Sequence, residues 1–310
     1  MLRTLVFLLA LPLFAKDSYV FTSFRGNGET GVFLAISGDG KAWEPLNGNQ
    51  PWLKPEIPGM LMRDPWLGRG PDGLWHLLWT WGWTRAPGDA ALKIGYAESR
   101  DLIHWSPQRA IEVFAAEPAA RNAWAPEAAW DPKTRTWTVF WATTIPGRFP
   151  NTEDSGDNAY NHRIYAVATP DFKTFTEPRL YFDPGFNAID SSVVRDGRRW
   201  IMIFKDERKT PLQKRLRLAF AGSPAGPWTD VTKPFSRDWV EGPSALRIGK
   251  EWWIYFDHYA KPQAYGAIKT RDWKTFEDVS DQVRFPDGHR HGTAVKITDE
   301  EARRIRARVF

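Results

Sequence analysis

The segment Glu241–Tyr259, EGPSALRIGKEWWIYFDHY, sets the pattern for most of the chain. An acidic residue opens a short apolar strand, a Gly or Pro turn follows, and a Trp-led strand returns. The same layout starts at Asp64 (DPWLGRGPDGLWHLLWT), Glu127 (EAAWDPKTRTWTVFWAT) and Asp190 (DSSVVRDGRRWIMIFKD). Counted from the acid, the Trp of the second strand comes 11, 10, 10 and 11 residues later, at Trp75, Trp137, Trp200 and Trp252. A second unit follows each hairpin: an alternating strand, a turn, and an aromatic at Trp105, Phe175, Trp228 or Phe276. A further copy ends at Trp43 with no hairpin before it; Tyr19–Phe24 and His291–Thr298 supply its two missing strands from opposite ends of the chain. Repeats of this period argue for a radial architecture. The expected fold is an all-β, five-bladed β-propeller of four-stranded blades, the last closed by N- and C-terminal strands.

Five such units use nearly all of the 310 residues, so residues 16–310 read as one catalytic-size domain. Residues 1–15, MLRTLVFLLALPLFA, read as a cleaved signal peptide: one Arg, an apolar run too short to span a bilayer, and a small residue at Ala15. With no cysteine, disulfides and thiolate chemistry are excluded, and export without disulfides suits a periplasmic or secreted protein. The formal charge of +5 concentrates at Arg208–Arg217 and Arg303–Arg308, away from any phosphate loop or recognition helix. It reads as solvated surface, with no nucleic acid and no membrane span as partner.

The residues that open the inner strands of a propeller converge on one mouth of its channel. Here they are Asp64, Glu127, Asp190, Glu241 and His291. Burying several like charges together is costly unless they are paired or share protons, so such a ring points to chemistry. Carboxylates flanked by aromatics suit glycoside hydrolysis, which uses one protonated and one ionised carboxyl group. Of the 18 Trp, most belong to the blade repeat. Trp66, Trp81, Trp83, Trp124 and Trp239 fall outside it and are candidates to stack on a sugar. The segment Pro146–His162 is long and polar and is placed at the rim of the pocket mouth, where it would favour terminal sugars.

The ordered motifs MRDPWL (62–67), NAWAPE (122–127), FNAIDSSVV (186–194), VEGPSAL (240–246) and RHGT (290–293) resemble glycoside hydrolase family 43, over residues 18 to 298. The resemblance implies Asp64 as general base, Glu241 as general acid and Asp190 as the carboxylate that orients the acid and raises its pKa. It gives Glu127 a sugar-binding or structural role, and His291 a place beside an ion or water in the channel, with a structural Ca2+ as the implied metal. Trp66, Trp124, Glu127 and Arg290 are the expected sugar-binding residues. Ser191 stands where the family commonly has Pro. The implied activity is an inverting, exo-acting hydrolase of terminal sugars on plant-type oligo- or polysaccharides, an α-L-arabinofuranosidase first and a β-xylosidase or exo-galactosidase second. A non-catalytic glycan-binding propeller and a glycoside phosphorylase are alternatives; the second would need cations at the mouth, where Arg63, Arg121 and Arg290 are available.

Overall fold

A computed structural model describes residues 17–85, 89 and 92–308; the signal-peptide reading lies outside them. The strands run in chain order as β1 (Ser18–Arg25), β2 (Phe33–Ser37) and β3 (Glu44–Pro45), then β4 (Arg63–Arg69), β5 (Trp75–Thr80), β6 (Leu92–Ser99) and β7 (Arg109–Phe114). Next come β8 (Trp124–Asp131), β9 (Thr136–Thr144), β10 (His162–Thr169) and β11 (Arg179–Phe182), followed by β12 (Ala188–Asp196), β13 (Arg199–Asp206) and β14 (Arg215–Ala221). The last set is β15 (Val240–Ile248), β16 (Glu251–His258), β17 (Ala264–Thr270) and β18 (Glu277–Asp278), then β19 (His289–Arg290), β20 (Ala294–Ile297) and helix α1 (Asp299–Arg306).

These form five antiparallel sheets, the blades of a five-bladed β-propeller. Blades one to four are β4–β7, β8–β11, β12–β14 and β15–β18, each laid out in chain order. In the third blade the fourth strand is reduced to a bridge between Phe220 and Thr229. The closing blade takes β1–β3 from the N-terminus and β19 and β20 from the other end, both paired to β1. The inner strands close a ring: β4 packs on β8, β8 on β12, β12 on β15, β15 on β20 and β20 on β4.

Side chains alternate across a strand, and each blade is covered on both faces, so the second strands are apolar through their middles. In β5, Trp75, Leu77 and Trp79 face the closing blade while Leu78 faces blade two. In β13, Met202 and Phe204 face blade two, and Ile201 and Ile203 face blade four. The five apolar clusters of the molecule are thus its five blade interfaces.

The turn after the third strand repeats as chemistry in four of the five blades. Asp39, Asp101, Asp171 and Asp272 each accept hydrogen bonds from the amides two and three residues on, which pins the turn. The residue after each aspartate has a positive φ: Gly40, Leu102, Phe172 and Trp273. Except for the glycine these are apolar and fully or nearly fully buried, which offsets the backbone strain.

Candidate active site

The inner strands of blades one to four carry the same β-bulge near their start. Arg63 pairs with Thr80 and Trp66 with Leu78, so Asp64 and Pro65 together face one residue. The extra residue recurs at Ala125-Pro126, Asp190-Ser191 and Gly242-Pro243. Asp64, Ala125, Asp190 and Gly242 all take φ between 48° and 57°. A bulge re-aims a side chain and often borders a functional site. Here it turns the Asp64 and Asp190 carboxylates into the channel mouth. Gly242 has no alternative, since a Cβ there would lie 2.4 Å from the His291 ring.

This register corrects the expected equivalence of the ring residues. Asp64 and Asp190 share a position; Glu241 precedes that position by one residue and Glu127 follows it by two. Constant spacing to the Trp arose because hairpin loops of different length offset these shifts. Ser191 occupies the bulge position of Pro65, Pro126 and Pro243, so the departure from the family pattern leaves the geometry in place.

A cavity of about 430 Å³ opens at the mouth, and Asp64, Asp190, Glu241, Arg290 and His291 all line it. Its aromatic wall is Trp83, Trp124 and Tyr160. Trp124 donates its indole N–H to the Trp83 carbonyl at 2.8 Å and stacks obliquely on Tyr160 with ring centres 4.7 Å apart. The Arg63 guanidinium lies between the Trp83 and Phe24 rings, 4.2 and 4.6 Å from their centres, and donates to the Asn27 side chain at 2.9 Å. Asp157, Asn158 and Tyr160 of the segment 146–162 line the same opening.

The remaining expectations divide. Trp66 is in the core between blades one and two, 6.0 Å from Trp137, so it offers no face to a sugar. Trp81 also packs on the core, and Trp239 meets Tyr259 edge-on and is not among the residues lining the cavity. Glu127 is buried behind the lining, where desolvation pushes its carboxyl up to about 8 against the pull of Ser192; its place is structural. Arg121 lies over the Tyr160 ring and is not part of the lining.

His291 sits between two aspartates, Nδ1 3.3 Å from Asp64 Oδ1 and 4.0 Å from Asp190 Oδ2. Burial opposes its charge, but Asp190 and Asp64 raise it to about 9, so the ring is an imidazolium at neutral pH. Among the described residues no group of three or more His, Cys, Asp or Glu is placed to hold an ion, so the implied Ca2+ has no cluster of side-chain donors beside His291.

Asp64 accepts from Thr80 Oγ1 at 2.8 Å. Burial alone would raise its pKa, yet His291, Arg63 and that hydrogen bond hold it well below the usual carboxylate range. Glu241 is gripped at both oxygens, Oε2 by Lys205 Nζ at 3.2 Å and Oε1 by Arg290 at 2.7 Å. Burial again opposes ionisation, and Lys205, Arg290 and His291 outweigh it, so the Glu241 pKa is lowered. This reverses the expectation that neighbouring acids raise it. The acid that rises is Asp190, to about 6: burial leads, Glu241 and Asp64 add to it, and His291 and Lys205 oppose. Asp190 Oδ2 accepts from the Gly242 amide at 3.3 Å, which places it beside Glu241 in the chain.

Lys205 and Glu207 are the charged lining residues that sequence reasoning missed, and Asn27 was missed with them. A signal for Lys205 existed. Thr80, Lys205 and Asp257 each lie five residues after the repeat Trp, opposite Arg63, Ile189 and Glu241, and each touches the site through Asp64, Glu241 or Arg290.

Fold and site together define a five-bladed propeller of the glycosidase type. Residues 15–303 match the glycosyl hydrolase 43-related family, described as a probable glycosyl hydrolase domain, and the chain belongs to that family. An α-L-arabinofuranosidase of Bifidobacterium longum subsp. longum is 29% identical over 135 residues, which are 41% of this chain and 13% of that protein. Among solved structures, the exo-β-1,3-galactanase of Phanerochaete chrysosporium with galactose superposes with a TM-score of 0.62 at 13% identity, over 86% of this chain and 62% of that one. The α-L-arabinofuranosidase of Lactobacillus brevis gives 0.51 at 19% identity, over 71% and 72%. At these identities the likeness is one of fold.

Proposed function

We propose that the protein is an inverting, exo-acting glycoside hydrolase that removes terminal sugars from plant-type polysaccharide side chains, with an α-L-arabinofuranoside as its first substrate. The observation that carries this reading is the meeting of Asp64, Asp190 and Glu241 in one cavity with an aromatic wall. Asp64, held ionised, takes a proton from the attacking water. Glu241 donates one to the leaving oxygen, and Asp190, beside it, shares its charge balance. An inverting pair leaves a gap of roughly 6.5 to 9.5 Å for the attacking water, and that separation is expected between Asp64 and Glu241. That Asp157, Asn158 and Tyr160 line the mouth supports action at chain ends. The name of the Bifidobacterium relative supports arabinose as the sugar. A terminal galactoside is the second reading, supported by the extent of the galactanase superposition.

The test is turnover of 4-nitrophenyl α-L-arabinofuranoside, β-D-xyloside and β-D-galactoside, with arabinan and arabinogalactan alongside, and NMR of the first-formed anomer. Release of one sugar with inverted configuration is expected. Retained configuration would overturn the mechanism, strict phosphate dependence would point to a phosphorylase, and binding without turnover would leave a glycan-binding propeller. Arg290 is committed to Glu241 and Asp257, which leaves less cationic surface for phosphate. Because Glu241 must be protonated to act and its pKa is lowered, kcat/KM is expected to be highest on the acid side of neutrality and to fall as pH rises. The reading includes export through residues 1–15, which N-terminal sequencing of the mature protein checks.

A further inference from the structure

A file of alternating charges runs from the rim of the cavity to Glu241. Asp157 on the rim accepts from Lys214 Nζ at 2.9 Å, and Lys214 also binds Glu207. Glu207 Oε2 lies 2.7 Å from Lys205 Nζ, which is 3.2 Å from Glu241 Oε2. The side chains of Lys214 and Lys205 are only 1% and 3% exposed. A buried ammonium is tolerable only when paired, and each of these is shared between two carboxylates. Lys205 also lies 4.4 Å from the centre of the Tyr259 ring. The Trp-led strands end in Thr, Ala, Lys and Asp at this level, so a lysine is not imposed by the fold.

We propose that Lys205 and Glu207 are a positioning pair for Glu241: Lys205 fixes its carboxylate at the cavity wall, Glu207 draws off part of the ammonium's charge, and Lys214 ties the rim segment to both. The proposal rests on the general-acid reading of Glu241. Its consequence is a pair of opposite effects. Removing the Lys205 charge makes Glu241 easier to protonate, whereas neutralising Glu207 leaves Lys205 to Glu241 alone and makes protonation harder. The other groups facing Glu241 are the same residues in both variants: Arg290 and His291 from the segment before β20, Asp64 from β4, Asp190 from β12, Asp257 from β16 and Tyr259 just beyond it. A residue that only supports the fold would not give opposite signs.

The experiment is the pH dependence of kcat/KM for wild type, Lys205→Met and Glu207→Gln. The probe is methyl α-L-arabinofuranoside, or the methyl glycoside of whichever sugar the nitrophenyl panel selects, because its poor leaving group depends on the acid. Lys205→Met is expected to move the alkaline limb up by about half a pH unit or more, and Glu207→Gln to move it down. Should Lys205→Met fail to fold, the downward shift in Glu207→Gln, a less buried site, decides on its own. Unmoved limbs, or two shifts of the same sign, in a protein whose Glu241→Gln variant is inactive would overturn the positioning pair alone. A Glu241→Gln variant with wild-type turnover of the methyl glycoside would overturn the general-acid reading, and the pair with it.

Discussion

Asp64 and Glu241 differ in what surrounds them, and the difference assigns their tasks. Asp64 has a hydroxyl and an imidazolium as partners, so it stays ionised without being blocked by a strong bidentate grip. Asp64→Asn and Glu241→Gln are each expected to cut turnover of an unactivated glycoside by about 10²-fold or more, with unchanged circular dichroism and Tm near wild type. A good leaving group should rescue Glu241→Gln more than Asp64→Asn, since only the acid's work is relieved; equal rescue would reverse the assignment. Glu127 supplies a contrast. With its pKa at about 8 it is neutral at pH 7, so Glu127→Gln keeps shape and charge and is expected to hold most of the activity. Glu127→Ala opens a void behind the lining and should lower Tm measurably at the same pH.

At the scale of the element, the aspartate turns hold the outer edge of the blades. Asp272 Oδ1 accepts from the Lys274 and Thr275 amides at 2.9 and 2.8 Å. Those bonds, that of Thr275 first, hold its pKa down to about 2. A folded-state pKa below that of the unfolded chain contributes stability that is present above pH about 3.9 and is lost as pH falls toward 2. Asp272→Asn keeps an acceptor and removes the charge. The drop in Tm between pH 5 and pH 2.5 should therefore be smaller in the variant than in wild type; an equal drop would show that this turn does not contribute to acid sensitivity.

At the scale of the molecule, the ring is held shut by β20 on β1 and by the helix that follows. Thr298 and Glu301 form a capping box at the start of α1. Glu301 also accepts from the Trp75 indole at 3.0 Å and pairs with Arg69 at 3.3 Å, which fastens the C-terminal helix to blade one. Glu301→Ala removes the side-chain half of the capping box and leaves a buried indole N–H without its acceptor. A loss of about 1 to 3 kcal/mol is expected in denaturant unfolding, with a larger effect on the unfolding rate than on the activity of the remaining folded protein. A change within about 0.5 kcal/mol would show that α1 is not a clasp.

The blade count, the closing of the ring from both termini and the three carboxylates at its mouth were legible in the sequence, because strand alternation and turn chemistry are local and repeat with the Trp. Trp66 and Glu127 were not separable from the site by that means. A bulge shifts register without changing composition, so a two-residue displacement along the strand carries Glu127 behind the lining while the motif around it looks the same. The charge balance at Glu241 was equally hidden. It depends on Lys205, 36 residues away, and Arg290, 49 residues away, which only the closed ring brings to its two oxygens. Sequence determined which groups the protein could use. The tertiary structure decided their protonation, since burial and opposing charges act through space and not along the chain.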